Sequence, residues 1–171
     1  MNYLNRFKQL NDEAVEALFD LVKNMIDKNT TNILEVGTYA GQVTVRLAAA
    51  AASKSGSIKV FSIDENNDTF SPSAEESLKV SNLTNTSVEF GEIDKRFEEN
   101  IVKANIIYID RFHDDIAAKM KIIEKNIIVP TKVIFRNPKN SDNFPFEVTE
   151  LAPTIKPRAR KKPTTDKVVE N

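Results

Sequence analysis

The sequence predicts an α/β protein, a three-layer sandwich with helices on both faces of a mostly parallel sheet of about five strands. Short apolar segments alternate along the chain with longer segments whose apolar residues recur every three or four positions. This alternation is typical of parallel strands joined by right-handed helical crossovers. Hydrophobic residues make up 40% of the 171 positions, enough for a folded core, and charged residues make up 29%, enough for a water-exposed surface around it. The predicted arrangement is Rossmann-like.

The first element is a helix over residues 11–28, where Asn11 or Asp12 can cap a regular apolar stripe. Each predicted strand that follows is short, apolar and bounded by a polar residue or glycine. These strands cover residues 32–36, 58–63, 87–90, 105–109 and 132–135. The helices between them cover residues 42–53, 74–82, 95–102 and 114–125, and residues 66–72 form a polar loop.

Three regions follow from this order. Residues 1–28 form an N-terminal helical segment, and residues 29–137 form the α/β core. Residues 138–171 form a proline-rich, basic tail in which 148–151 could make a short element, and we expect disorder from Pro153 onward.

Composition excludes several classes of protein. Without cysteine the chain has no disulfide, thiolate metal site or cysteine nucleophile. No apolar run approaches the roughly 20 residues of a membrane span, and the charged N-terminus does not match a signal peptide, so we expect a cytoplasmic protein without a membrane partner. A net charge of −1 argues against a nucleic-acid partner, except through the basic tail.

The loop after the first strand is the main candidate for a ligand site. Ligands of open α/β sheets bind at the carboxyl ends of the strands, where Gly37 and Gly41 would let the backbone approach a ligand closely. Asp64 ends the second strand, where an acidic side chain can accept hydrogen bonds from ribose hydroxyls. The open alternatives are close strand-to-helix packing for the glycines, an ordinary polar strand end for Asp64, and a purely structural partner for Glu35.

The glycine spacing excludes two common nucleotide motifs. Three residues separate Gly37 from Gly41, which fits neither the G-x-G-x-x-G dinucleotide turn nor the G-x-x-x-x-G-K-[ST] phosphate loop. A nicotinamide-dependent reductase is therefore the weakest hypothesis. At the fourth strand's end, Asp110 and His113 are the only acid–histidine pair and the candidate catalytic residues, although His113 could equally be a surface residue or a helix cap.

Residues 33–41 (ILEVGTYAG) resemble motif I of class I S-adenosylmethionine-dependent methyltransferases, most closely the small-molecule O-methyltransferases of the caffeoyl-CoA/catechol type and their bacterial relatives. Residues 56–64 (GSIKVFSID) resemble that family's second strand, and 91–93 (GEI) stand where it often has Gly-Asp-Ala. Residues 107–110 (IYID), followed by His113, resemble its fourth strand. The resemblance spans roughly residues 30 to 137.

This resemblance implies S-adenosylmethionine as the cofactor. The loop would hold the methionine portion, Asp64 the ribose, and two residues after the third strand the adenine, while Asp110 would face the methyl-transfer site. The implied cofactor-binding residues are Glu35, Gly37, Thr38, Tyr39, Gly41, Asp64, Glu92 and Ile93.

The chain also departs from the family. Pro130-Thr131-Lys132 replaces the usual Pro-Gly-Gly, and Arg136-Asn137 stands where metal-dependent members carry a carboxylate, so a divalent metal is not expected. The family's last two strands form an antiparallel hairpin, and the tail is too short to supply both, so we expect the sheet to lack a complete C-terminal strand pair.

Two hypotheses of function remain. The first is a class I methyltransferase with an undetermined acceptor. The second is a non-catalytic, methyltransferase-like binding or assembly subunit, favoured by these departures. The incomplete sheet leaves an edge that a partner protein or a second copy could cover.

Overall fold

A computed structural model of the chain describes residues 10–65, 70–110, 116–137 and 140–153. His113 and the tail beyond residue 153 lie outside these ranges, as does most of the N-terminal segment before the first helix. None of the helices within them is long and apolar enough to cross a membrane.

Five helices and six strands make up the described chain. The helices are α1 (Asp12–Met25), α2 (Gln42–Lys54), α3 (Phe70–Ser81), α4 (Ile93–Ile101) and α5 (Ile116–Asn126). The strands are β1 (Asn32–Val36), β2 (Lys59–Asp64), β3 (Thr86–Phe90), β4 (Ile106–Ile109), β5 (Thr131–Arg136) and β6 (Phe146–Leu151).

The six strands form one sheet in the order β3-β2-β1-β4-β5-β6. The first five are parallel, and β6 runs antiparallel to β5 with Ile134 opposite Val148. This confirms the predicted mostly parallel α/β sandwich, with one strand more than expected.

A hydrophobic cluster lies on each face of the sheet. On one face, α1 and α2 pack with alternate strand residues such as Ile33 and Ile134. On the other face, α4 and α5 pack with the intervening residues, such as Leu34 and Val133. Because successive side chains of a strand point to opposite faces, a strand that is apolar throughout can contribute side chains to both clusters.

Two helices begin earlier than predicted. We expected a helix from residue 74, but α3 already begins at Phe70. Its Pro72 lies in the first turn, where the missing N–H is not needed for a helical hydrogen bond. Helix α4 begins at Ile93 instead of residue 95, because Ile93 packs into the second hydrophobic cluster.

The short element considered for residues 148–151 is a strand, β6, which begins two residues earlier, at Phe146. Phe146 is 3% exposed and packs edge-on against Tyr108, while Leu151 contacts the opposite cluster. The neighbouring prolines bound this strand instead of disrupting it, since Pro145 and Pro153 lie just outside its ends.

Candidate functional site

The candidate site lies where the order of the strands reverses, between β1 and β4. The loop leaving β1 is held to both neighbouring strands. The amide of Gly37 donates to the carbonyl of Ile63 at 2.9 Å, and the amide of Asp110 donates to the carbonyl of Val36 at 3.0 Å. The ends of β1, β2 and β4 therefore meet at one point on the carboxyl edge of the sheet.

Three residues with positive φ shape this loop. Gly37 has φ 100°, Tyr39 has φ 53° and Gly41 has φ 80°. The loop then enters α2 at Gly41, which supplies no side-chain cap, so the first amides of the helix are available to a negatively charged group. This is the backbone conformation expected of a loop that receives a ligand.

Packing gives Gly41 a second role. A Cβ at Gly41 would lie 3.1 Å from the Cα of Ala74 and 3.2 Å from the Ala74 carbonyl oxygen. The Ser77 hydroxyl also donates to the Ala40 carbonyl at 2.9 Å, so α3 is attached directly to the loop. Close packing was one explanation that the sequence offered for the two glycines. It holds for Gly41, which packs against α3.

Glu35 lies beneath the loop in a buried polar network. Its Oε2 accepts hydrogen bonds from the Thr44 hydroxyl at 2.5 Å and the Ser62 hydroxyl at 2.6 Å. The Thr38 hydroxyl lies 2.6 Å from that of Ser62, which links the network to the loop. Burial raises the pKa of the Glu35 carboxyl to about 8, so the side chain is mostly neutral at pH 7. Glu35 thus connects β1, β2 and α2 and has no exposed surface.

Asp64 holds the loop from the end of β2. Its Oδ2 accepts from the Tyr39 amide at 3.0 Å, and its Oδ1 accepts from the Glu65 amide at 2.7 Å. The carboxylate stabilises the positive φ of Tyr39, because the hydrogen bond fixes the direction of that amide. The structure therefore brings the predicted loop and the predicted acidic residue into direct contact.

Beyond Asp64, an open depression follows the end of β3. It is lined by Glu65, Gly91, Glu92 and Ile93, among others. The Gly91 amide donates to the Asp64 carbonyl at 2.9 Å, which fixes this depression next to the β2 end. Glu92 is exposed, whereas Ile93 is 8% exposed and belongs mainly to the core.

On the other side of β1, Asp110 pairs with Arg136 at the end of β5. Arg136 Nη1 lies 3.2 Å from Asp110 Oδ1, and both side chains are 10% exposed. Burial raises the pKa of the Asp110 carboxyl above its usual value, and the positive charge of Arg136 opposes part of that rise.

A small pocket separates this ion pair from the loop. Its lining residues, all from the described chain, are Leu10, Thr38, Tyr39, Ala40, Gln42, Val43, Asp110 and Arg136. The enclosed volume is about 20 Å³, which is room for roughly one water molecule. The loop and the ion pair therefore face each other across a narrow gap.

The residues at this point do not fit a divalent metal ion. Asp110 stands where metal-dependent members of the resembled family have a metal ligand, but here it contacts a guanidinium, whose charge would repel a cation. Within the described ranges, no group of three or more histidine, cysteine or acidic residues is arranged to hold a metal ion.

Sequence reasoning missed the supporting residues. Ser62 and Thr44 are buried hydroxyls in otherwise apolar elements, which is a signal of a buried polar partner. Arg136 stands at the end of a predicted strand, where site residues are expected, but its pairing with Asp110 could not be predicted from the sequence.

No family model matches the sequence, and no curated protein matches it. Solved structures do match. One, from Staphylococcus aureus and described as a caffeoyl-CoA O-methyltransferase, is 21% identical with a TM-score of 0.59, covering 77% of this chain and 60% of that one. An O-methyltransferase from Bacillus cereus in complex with SAH is 19% identical with a TM-score of 0.64, covering 82% and 68%.

An RNA methyltransferase from Salinibacter ruber, in complex with S-adenosyl-L-homocysteine, is also similar. It is 15% identical with a TM-score of 0.63, and the match covers 91% of this chain and 100% of that one. The chain spans 60% of the length of the Staphylococcus aureus protein but the full length of the Salinibacter ruber protein. These likenesses confirm the predicted Rossmann-like α/β fold.

Proposed function

We propose that this chain is a class I methyltransferase that binds S-adenosylmethionine at the carboxyl edge of its sheet. The observation that carries the proposal is the contact between the Asp64 carboxylate and the Tyr39 amide, at 3.0 Å. This contact joins the acidic end of β2 to the glycine loop of β1 at the strand-order reversal, where open α/β sheets bind nucleosides.

The residues divide by their position along this edge. The loop, with Gly37, Thr38, Tyr39 and Gly41, would hold the methionine portion near the uncapped start of α2. In this proposal Asp64 holds the ribose hydroxyls, and Glu92 and Ile93 border the adenine. Glu35 supports the loop from beneath and makes no direct contact with the cofactor, because its carboxyl is fully buried.

In methyl transfer the main task of the protein is to hold the cofactor and the acceptor in position. When bound by the loop and Asp64, the cofactor would supply an activated methyl group for a nucleophilic atom of the acceptor. Holding the two reactants in line removes much of the entropic barrier. Asp110 remains our candidate for binding the acceptor or accepting its proton, and His113 remains a second candidate that lies outside the described residues.

The second candidate function is a non-catalytic, methyltransferase-like binding or assembly subunit. The narrow pocket of about 20 Å³ between the loop and the Asp110–Arg136 pair favours it, because an acceptor would have to displace these walls. The two candidates differ in turnover, since only an enzyme converts the cofactor to S-adenosylhomocysteine.

Calorimetric titration with S-adenosylmethionine and S-adenosylhomocysteine tests the proposal. Asp64→Asn keeps an acceptor for the Tyr39 amide and removes the charge, and we expect it to weaken binding about tenfold or more, since a hydrogen bond to a charged group contributes about 1.5–3 kcal/mol. Asp20→Asn, at an exposed aspartate of α1, is the matched control and should bind like wild type.

Three results decide between the candidates. No binding of either compound at millimolar concentration would refute the methyltransferase proposal. Equal affinity of Asp64→Asn and wild type would show that the ribose site is misplaced. Tight binding without formation of S-adenosylhomocysteine, across a panel of phenolic and carboxylate acceptors, would favour the non-catalytic subunit.

A further inference from the structure

We propose that Arg96 stacks its guanidinium on the adenine ring of the nucleoside that binds at this edge of the sheet. The inference rests on the proposed function, in which Glu92 and Ile93 border the adenine, and it adds the residue that covers the face of the ring. Three observations support it: where the guanidinium lies, how Glu89 holds it, and which residues line the depression beside it.

The guanidinium of Arg96 lies against Gly91, at the wall of the open depression. A Cβ at Gly91 would be 3.3 Å from Nε of Arg96, 3.6 Å from Nη2 and 3.9 Å from Cζ, so the planar group covers this glycine. Gly91 has φ 146°, which side chains rarely adopt, and it lines the depression directly. Arg96 follows the start of α4 by one turn, and a helical side chain leans toward the start of its helix, which brings the guanidinium to the end of β3.

Glu89 holds the guanidinium by its edge. Nη1 of Arg96 pairs with Oε2 of Glu89, and the two side chains are 35% and 48% exposed. The hydrogen bonds of a guanidinium lie in its plane, so this ion pair does not occupy the faces of the group. Ion pairs this exposed contribute little to stability, so the pair is better explained by the orientation that it gives to Arg96.

The residues that line the depression offer no aromatic ring to a purine. Besides the four already named, the described chain contributes Asp94 and Lys95 to the lining, and none of the six is aromatic. Ile93 is the one large apolar side chain among them, and it packs mainly into the second hydrophobic cluster. The guanidinium at the wall is therefore the planar surface that these residues offer to a nucleobase.

Adenine suits a cation on its face and a carboxylate at its edge. A guanidinium attracts the electron-rich face of an aromatic ring, and its planar shape lets it lie parallel to a base. The exposed carboxylate of Glu92 can accept a hydrogen bond from the amino group of adenine, which lies in the plane of the ring. Arg96 and Glu92 would therefore bind different parts of the same base.

The NMR signals of arginine Nε–H groups in the full chain test the inference, with S-adenosylhomocysteine and adenosine as probes. Atoms that lie over the face of an aromatic ring are shifted upfield by its ring current. We expect the Arg96 signal, identified by its loss in Arg96→Lys, to move upfield as either probe binds. The Arg46 signal, from an α2 arginine that is 46% exposed and paired with Glu16, is the control and should stay in place.

Variants measure what the stacking contributes to binding. Arg96→Gln should weaken the binding of both probes about threefold to tenfold, because the cation over the ring is lost. Arg96→Lys should recover only part of this loss, since an ammonium restores the charge without the planar surface. Glu89→Gln should fall between wild type and Arg96→Gln, because the guanidinium is held less firmly. Arg46→Gln is the matched control and should bind both probes like wild type.

Each contrary result overturns the inference. These are binding of S-adenosylhomocysteine without an upfield shift of the Arg96 signal, equal affinity of wild type and a folded Arg96→Gln, or equal losses in Arg96→Gln and Arg46→Gln. Failure of S-adenosylhomocysteine to bind would refute the proposed function, and the adenosine titration then decides the inference separately. An upfield shift of the Arg96 signal with adenosine would support stacking, whereas no binding or no shift would overturn it.

Discussion

Replacing Glu35 by glutamine should remove most of the pH dependence of stability that this carboxyl imposes. Glu35 is fully buried, and its Oε2 accepts from Thr44 and Ser62, while its Oε1 has no hydrogen-bond partner among the described residues. Burial raises its pKa from 4.5 to about 8. The folded protein therefore holds a proton that the unfolded chain releases above about pH 4.5.

The sign of the effect follows from proton uptake. Between pH 4.5 and about 8 the folded state binds more protons at this site than the unfolded state, so wild-type stability falls as pH rises. The slope is about 1.4 kcal/mol per pH unit, which amounts to on the order of 5 kcal/mol across the window. This is comparable with the whole free energy of unfolding of many domains, about 5–15 kcal/mol.

Urea unfolding at a series of pH values measures the effect. The free energy of unfolding of Glu35→Gln should decline with pH less steeply than that of wild type, by about 1.4 kcal/mol per unit. Glu98→Gln, at an exposed position of α4, is the control. Its free energy of unfolding should change with pH as steeply as that of wild type. If Glu35→Gln also runs parallel to wild type, then Glu35 is ionised in the folded protein and the explanation from burial fails.

Two further predictions concern packing, both measured by urea unfolding. Gly41→Ala should destabilise the fold by about 1–3 kcal/mol, because φ is +80° and the new Cβ would lie 3.1 Å from the Cα of Ala74. Gly56→Ala has nothing within 4 Å of its Cβ and should change stability little; equal effects would contradict the role of α3 in shaping the loop. Phe146→Ala should cost about 3–5 kcal/mol, since a 3% exposed ring leaves a cavity. Val148→Ala, on the same strand but 40% exposed, should cost far less, and similar losses would indicate that β6 is not anchored by Phe146.

The elements with local signals could be predicted well. Strand β1 occupies the predicted residues 32–36, and α2 extends only one residue past its predicted end at 53. In both, neighbouring residues supply the signal, through a short apolar run before Gly37 and an alanine-rich helix after Gly41. The position of the candidate loop followed from the same glycines, since their conformational freedom is a property of the residues themselves.

Strand β6 could not be predicted with the same certainty, because its stability comes from β5. Residues 146–151 are bounded by prolines and carry two glutamates, which locally favours a tail. Their pairing with residues 131–136 and the burial of Phe146 outweigh that preference. Because such contacts join distant parts of the chain, the local sequence pattern indicates them only weakly.

The sequence by itself determined the alternation of strands and helices, the loop at Gly37 and Gly41, and the acidic residue that ends β2. Only the tertiary structure decided what those residues contact. It placed Glu35 beneath the loop with a raised pKa, attached the Asp64 carboxylate to Tyr39, and paired Asp110 with Arg136. The physical reason is that burial and charge pairing depend on which strand ends meet at the sheet edge, and residue order alone does not specify that.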